Sequence, residues 1–87
     1  MAECETVRIK ELYIDSFRRL LGLIAQNYDW KNHHHPVYIE KIGAVGLTDE
    51  YKGKKGDRHQ VFRNIKLKIR TDISDDKRKE LDEILEL

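Results

Sequence analysis

Residues 60–70, QVFRNIKLKIR, alternate more strictly than any other part of the chain: Val61, Ile65, Leu67 and Ile69 fall on one side of an extended backbone, and Asn64, Lys66, Lys68 and Arg70 on the other. Successive side chains of a strand point to opposite faces, so this pattern requires an antiparallel strand with one face in a core and one in water. Phe62 and Arg63 break the phase near its start. Upstream, residues 37–47, VYIEKIGAVGL, are rich in β-branched and aromatic residues, with Val37 and Ile39 out of phase with Ile42 and Ala44. A bulge near Lys41 reconciles the two halves, and Gly43 and Gly46 fit such an irregularity or a close backbone approach. Between the two strands, residues 48–59 hold Gly53 and Gly56 around Lys54 and Lys55, which is turn chemistry for the mobile tip of a hairpin.

Two helices are expected to flank the hairpin. Over residues 5–28, Val7, Ile14, Leu21 and Tyr28 recur every seven positions, and Phe17 and Ile24 fill the intervening steps of three and four. Leu12, Tyr13, Leu20 and Leu23 widen this stripe beyond what two strands and a terminal helix need to cover, which points to dimerisation through the helix. The helix should end near Asn27, because the period is lost there and Pro36 excludes helical geometry just before it. Ser74 is a good N-cap for a second helix, with Asp75 and Asp76 in its first turn and Leu81, Ile84, Leu85 and Leu87 on its apolar face. That pattern is still running at the last residue, as expected of a helix docked on a partner or of a chain cut from a longer domain.

The reading is therefore one small α+β domain over residues 1–87, in the order α-β-β-α. Its antiparallel hairpin packs on a long amphipathic helix and is completed by a second copy. A domain of this size buries only about 60 to 65% of the surface its unfolded chain exposes, and an isolated hairpin is marginal. Two copies would give a four-stranded sheet. The single cysteine, Cys4, excludes an intrachain disulfide and favours a reducing compartment. Acids occupy the place where a signal peptide has its basic region, and nowhere do eighteen apolar residues follow one another. A cytoplasmic protein without a membrane segment is expected.

Charge supplies the functional lead. Residues 51–70 hold eight of the seventeen Lys and Arg but one of the sixteen acids, hence +7 against −6 for the remainder, which a net charge of +1 conceals. A concentrated positive field is a docking surface for phosphate or another anion. The candidates are Lys52, Lys54, Lys55 and Arg58 at the tip, Arg63 nearby, and the row Lys66, Lys68 and Arg70 on the strand. Nucleic acid or an acidic protein surface is the expected partner. The alternative is that these lysines protect a sheet edge or pair with acids elsewhere.

Other chemistry is thinner. His33, His34 and His35 form a triplet that His59 could join, but adjacent residues converge poorly on one ion and no regular ligand spacing completes a site, so they are read as loop histidines and no metal or cofactor is assigned. Acids show no readable catalytic pairing, and no Gly-rich phosphate loop or Ser-His-Asp arrangement is present. Cys4 is either an incidental thiol or, at the start of the first helix, a redox group whose thiolate the helix dipole favours and Glu3 and Glu5 oppose.

The run HQVFRNIKLKIRTDISDDKRKELDEILEL resembles the OsmC/Ohr family of thiol peroxidases, in a strand written F-x-x-I-x-L-x-I, a short link, and an acid-capped helix ending L-x-x-I-L-x-L. The resemblance covers the C-terminal half only. It implies that the chain is an OsmC-like peroxidase fragment or relative, with Cys4 in the place of the peroxidatic cysteine on a long helix.

Overall fold

The computed structural model describes residues 3–51 and 54–86. The elements run β1 (Cys4–Tyr13), α1 (Ile14–Gln26), β2 (Val37–Tyr51), β3 (Lys54–Arg70) and α2 (Asp75–Leu85). The α+β class and the β2–β3 hairpin match the expectation, but the order is β-α-β-β-α and the sheet has three strands, arranged β1-β3-β2. The first half of the expected helix is strand β1. Its residues Thr6, Val7 and Ile9 are β-branched, and it pairs antiparallel with β3 from Cys4↔Arg70 to Tyr13↔Val61. A half-buried β3 has two edges to satisfy, and β1 supplies the second partner within the same chain. Because β1 and β2 are both antiparallel to β3, they run parallel to each other, joined by α1 across β3.

Helix α1 follows β1 without a loop. Tyr13 stands at its N-cap without a side-chain cap hydrogen bond, and Asp15 lies in the first turn, where the dipole favours an acid. Asn27 closes the far end by donating from Nδ2 to the Leu23 carbonyl at 2.7 Å. The next residues form a tight ordered loop rather than a loose one. Asp29 and His34 exchange backbone hydrogen bonds of 2.8 and 3.2 Å, and Asp29 Oδ1 accepts from the Lys31 and Asn32 amides. Helix α2 begins where expected, with Ser74 Oγ accepting from the Lys77 amide.

Both helices lie on one face of the sheet. Leu20 and Leu23 of α1 and Leu81, Ile84 and Leu85 of α2 enclose Ile9, Val37, Ile65, Leu67 and Ile69 in one core, and Phe17 stacks on Phe62 with ring centroids 3.9 Å apart. Fully burying each such side chain contributes about 1.5 to 3 kcal/mol. Arg78 clips α2 to β1, donating to both Glu5 carboxylate oxygens at 3.1 and 3.4 Å and to Asp82 at 3.1 Å. The opposite face of the sheet carries no helix, and Thr6, Arg8, Lys66 and Lys68 stand on it.

The strands are long, and the molecule measures 44 × 23 × 20 Å. Residues expected to form a broad tip are mostly strand, with Thr48↔His59, Glu50↔Lys55 and Tyr51↔Lys54 paired. The expected bulge is present, as the β2–β3 register shifts between Ile39 and Lys41. A second irregularity runs across the sheet. Lys10, Asn64 and Gly43 are skipped in the ladders, and on either side of Asn64 the buried residues change phase, from Ile65 to Phe62 on β3 and from Ile9 to Leu12 on β1. Asn64 has φ +54°, a conformation its short polar side chain tolerates. Gly43 makes room for it: a Cβ there would lie 2.7 Å from Asn64 Cβ and 3.2 Å from its carbonyl oxygen.

Candidate anion site on the open face

The transverse irregularity produces a cleft. An open concavity of about 450 Å³ is lined by Arg8, Ile9 and Lys10 of β1, Lys41 and Gly43 of β2, and Asn64, Ile65 and Lys66 of β3. Four of these residues are cations and none is an acid. The ladders explain the convergence: Arg8 pairs with Lys66, and Lys66 pairs with Lys41, so three cations from three strands stand side by side. Neighbouring strands are about 4.8 Å apart, and like charges at that distance repel by about 1 kcal/mol in water. Glu40 relieves Lys66, at 3.4 Å, and reaches Lys68 at 3.9 Å. Arg8, Lys10 and Lys41 are exposed and have no acidic partner among the described residues.

The remaining candidates divide by surroundings. Lys68 lies on the same open face, its Nζ donating to Thr6 Oγ1 at 2.6 Å, with Tyr38 across the ladder on its other side. Arg63 is tied to Glu11, Nε to Oε2 at 3.2 Å, and Arg58 is exposed near Leu47, Thr48 and Asp49. Lys52 lies outside the described residues, and of Lys54 and Lys55 only the backbone is described. Arg70 departs from the expected exposed row. Its side chain is 19% exposed and donates to both Asp72 carboxylate oxygens at 2.9 and 2.7 Å, and its Nη1 contacts His34 Nε2. Arg70 thus fastens β3 to the chain leading into α2 and to the 29–34 loop. That pairing is the physical reason it is withdrawn from a binding row.

This cluster also shifts two acids. The hydrogen bonds from Arg70 hold the Asp72 carboxyl below the usual carboxylate range, and those from Asn32, side chain and backbone, do the same for Asp29. His34 Nε2 lies against Arg70 Nη1, and its Nδ1 is buried without a hydrogen-bond partner among the described residues. Asp29 Oδ2 lies 3.4 Å from the same Nε2.

The histidines diverge. His33 is exposed, with φ +54° in the loop; His34 is held against Arg70 and Asp29; and His35 places Nδ1 3.0 Å from the Ile24 carbonyl and its ring against Tyr28. His59 is in β3, opposite Thr48. No group of metal-ligating side chains converges among the described residues. Cys4 is exposed at the first residue of β1, beside Arg70, and not on a helix. No helix among the described residues is long and apolar enough to cross a membrane.

Reading the chain as helix over 5–28 hid Arg8 and Lys10. The signal that could have found them is the alternation of Thr6, Arg8 and Lys10 with Val7 and Ile9. Comparison with protein-family models, curated proteins and solved structures finds no match to this chain.

Proposed function

We propose that the protein is a non-catalytic binding module that holds the phosphodiester backbone of a nucleic acid on the open face of its sheet. The observation that carries this reading is the cleft of Arg8, Lys10, Lys41 and Lys66, which gathers four cations from three strands without an acid in its lining. Lys68 and Tyr38 extend the face along the strands, Lys68 as a further cation and Tyr38 as an exposed ring on which a base can stack. A concave cluster of cations suits the dense, regularly spaced charge of a phosphate backbone better than the scattered carboxylates of an acidic protein.

Neutralising four phosphates gives a salt slope of about −3.6 on logarithmic axes for a duplex and about −2.8 for a single strand, so a fourfold rise in salt weakens binding roughly 50- to 150-fold. The test is fluorescence anisotropy with a labelled random-sequence oligonucleotide, for the native protein and for Lys10→Glu/Lys41→Glu. Both substitutions are of exposed residues, and the variant is expected to keep its circular dichroism and lose binding at least tenfold. Binding that is flat between about 50 and 300 mM salt, or unchanged in the double variant, overturns the reading.

A further inference from the structure

The two outer edges of the sheet are built differently. The β1 edge carries Glu5, Arg8, Lys10 and Glu11, the interspersed charges by which exposed edges resist pairing. The β2 edge has seven consecutive residues, 42–48, IGAVGLT, without a charge. Val45 and Leu47, two positions apart on one face, are 55% and 64% exposed, and Ile42 is exposed as well. Val45 pairs with Phe62 and therefore faces the helix side, but α1 packs over β1 and β3 and leaves this part of β2 uncovered. An uncharged edge with protruding aliphatic side chains is a template for another strand.

We infer that residues 44–48 of β2 pair antiparallel with the same residues of a second copy, about a two-fold axis at Gly46. Two properties select the chain itself as the occupant. A strip without charge is matched by a strip without charge, and among the sheet edges of this chain the one that qualifies is β2 itself; joining β2 to the charged β1 edge would also leave ends open and grow without limit. Centred on Gly46, the pairing sets Val45 of each copy opposite Leu47 of the other, so four exposed aliphatic side chains cover one another beside the axis. Ala44 and Thr48 meet on the other face. The product is a six-stranded sheet, β1-β3-β2-β2-β3-β1. With the axis perpendicular to the sheet, the helices of both copies lie on one side and both cationic clefts on the other. The two Lys41 positions are ten residues apart along the joined strands, about 34 Å.

Pairing of this kind is independent of nucleic-acid binding and is tested by mass and by cross-linking. Sedimentation equilibrium of the native protein at micromolar concentration is expected to give twice the 10.4 kDa chain mass, falling to the chain mass for Val45→Glu. The pairing geometry is tested in a Cys4→Ser background. Gly46→Cys brings two thiols together at the axis, where paired Cα atoms lie about 4.5 to 5.5 Å apart, within disulfide range. The new Cβ is 3.3 Å from Arg63 Nη1, the mobile end of a long side chain that can give way. Ala44→Cys leaves its thiols about 13 Å apart along the strands. Rapid oxidative dimerisation of the Gly46 variant with none of the Ala44 variant is the expected result. A native monomer at all concentrations, a dimer that survives Val45→Glu, or equal linking at both positions overturns the inference. Should Val45→Glu fail to fold, the two thiol variants decide.

Discussion

Gly43 and Asn64 form the cleft together, and neither does so through its chemistry as a ligand. Asn64 takes a left-handed backbone conformation, the three strands change phase beside it, and the missing Cβ of Gly43 lets its backbone approach. Gly43→Ala should therefore cost about 1 to 3 kcal/mol in urea denaturation, because the new methyl meets Asn64 at 2.7 Å and backbone oxygens of Asn64 and Arg63 just beyond 3 Å. Gly22→Ala is the internal control. It lies inside α1 with nothing within 4 Å of the added Cβ, so it should stabilise by about 0.5 to 1 kcal/mol. Equal effects at the two positions would show that the approach of Gly43 to Asn64 does not constrain the sheet.

At the scale of elements, the decisive feature is that residues 4–13 pair with β3 instead of continuing α1. Ile9 shows the pairing most directly, being buried opposite Ile65 in the ladder. Ile9→Ala is expected to lower stability by about 2 to 5 kcal/mol, whereas Lys10→Ala, exposed one position later, should change it by less than about 0.5 kcal/mol. A neutral Ile9→Ala in thermal or denaturant unfolding would remove β1 from the core. Sequence periodicity misled here for a specific reason. Spacings of seven join Val7 to Ile14, Leu21 and Tyr28, but Val7 belongs to β1, Ile14 and Leu21 belong to α1, and Tyr28 lies past its end. No side-chain cap marks the boundary at Tyr13. By contrast, Ser74 with its two following acids is a physical start signal, and α2 begins there.

The whole molecule is polarised by layer, with the core and both helices on one side of the sheet and cations concentrated on the other. Its ends are fastened by ion pairs of β3 and α2, Arg70 with the neighbouring Asp72 beside the 29–34 loop and Arg78 with the distant Glu5. Asp29 and Asp72 both titrate below the usual carboxylate range in the folded chain. A depressed folded value means that their contribution is fully present above the unfolded pKa of about 3.9 and is lost as pH falls through the lower folded value. Stability should thus fall on acidification below about pH 4, and Asp72→Asn should flatten that fall, with thermal melting against pH as the measurement. An identical acid profile for the variant would mean that the Arg70–Asp72 pair contributes nothing to folding. Reversing the charge of Arg70 should damage the fold itself, unlike reversal at Lys10 or Lys41.

What the sequence determined by itself was whatever depended on local alternation and local capping: β3 with its inward Ile65, Leu67 and Ile69, the bulge beside Lys41, the end of α1 at Asn27 and the start of α2 at Ser74. It also located the excess of positive charge. Only the tertiary structure decided which cations act together, because pairing across strands joins residues far apart in the chain, Arg8 with Lys66 at 58 positions and Lys41 with Lys66 at 25. That pairing set Arg8 beside Lys66 and Lys41 and left the uncharged stretch of β2 as an open edge. No local pattern encodes such contacts, since each strand's sequence specifies its own faces but not its neighbour.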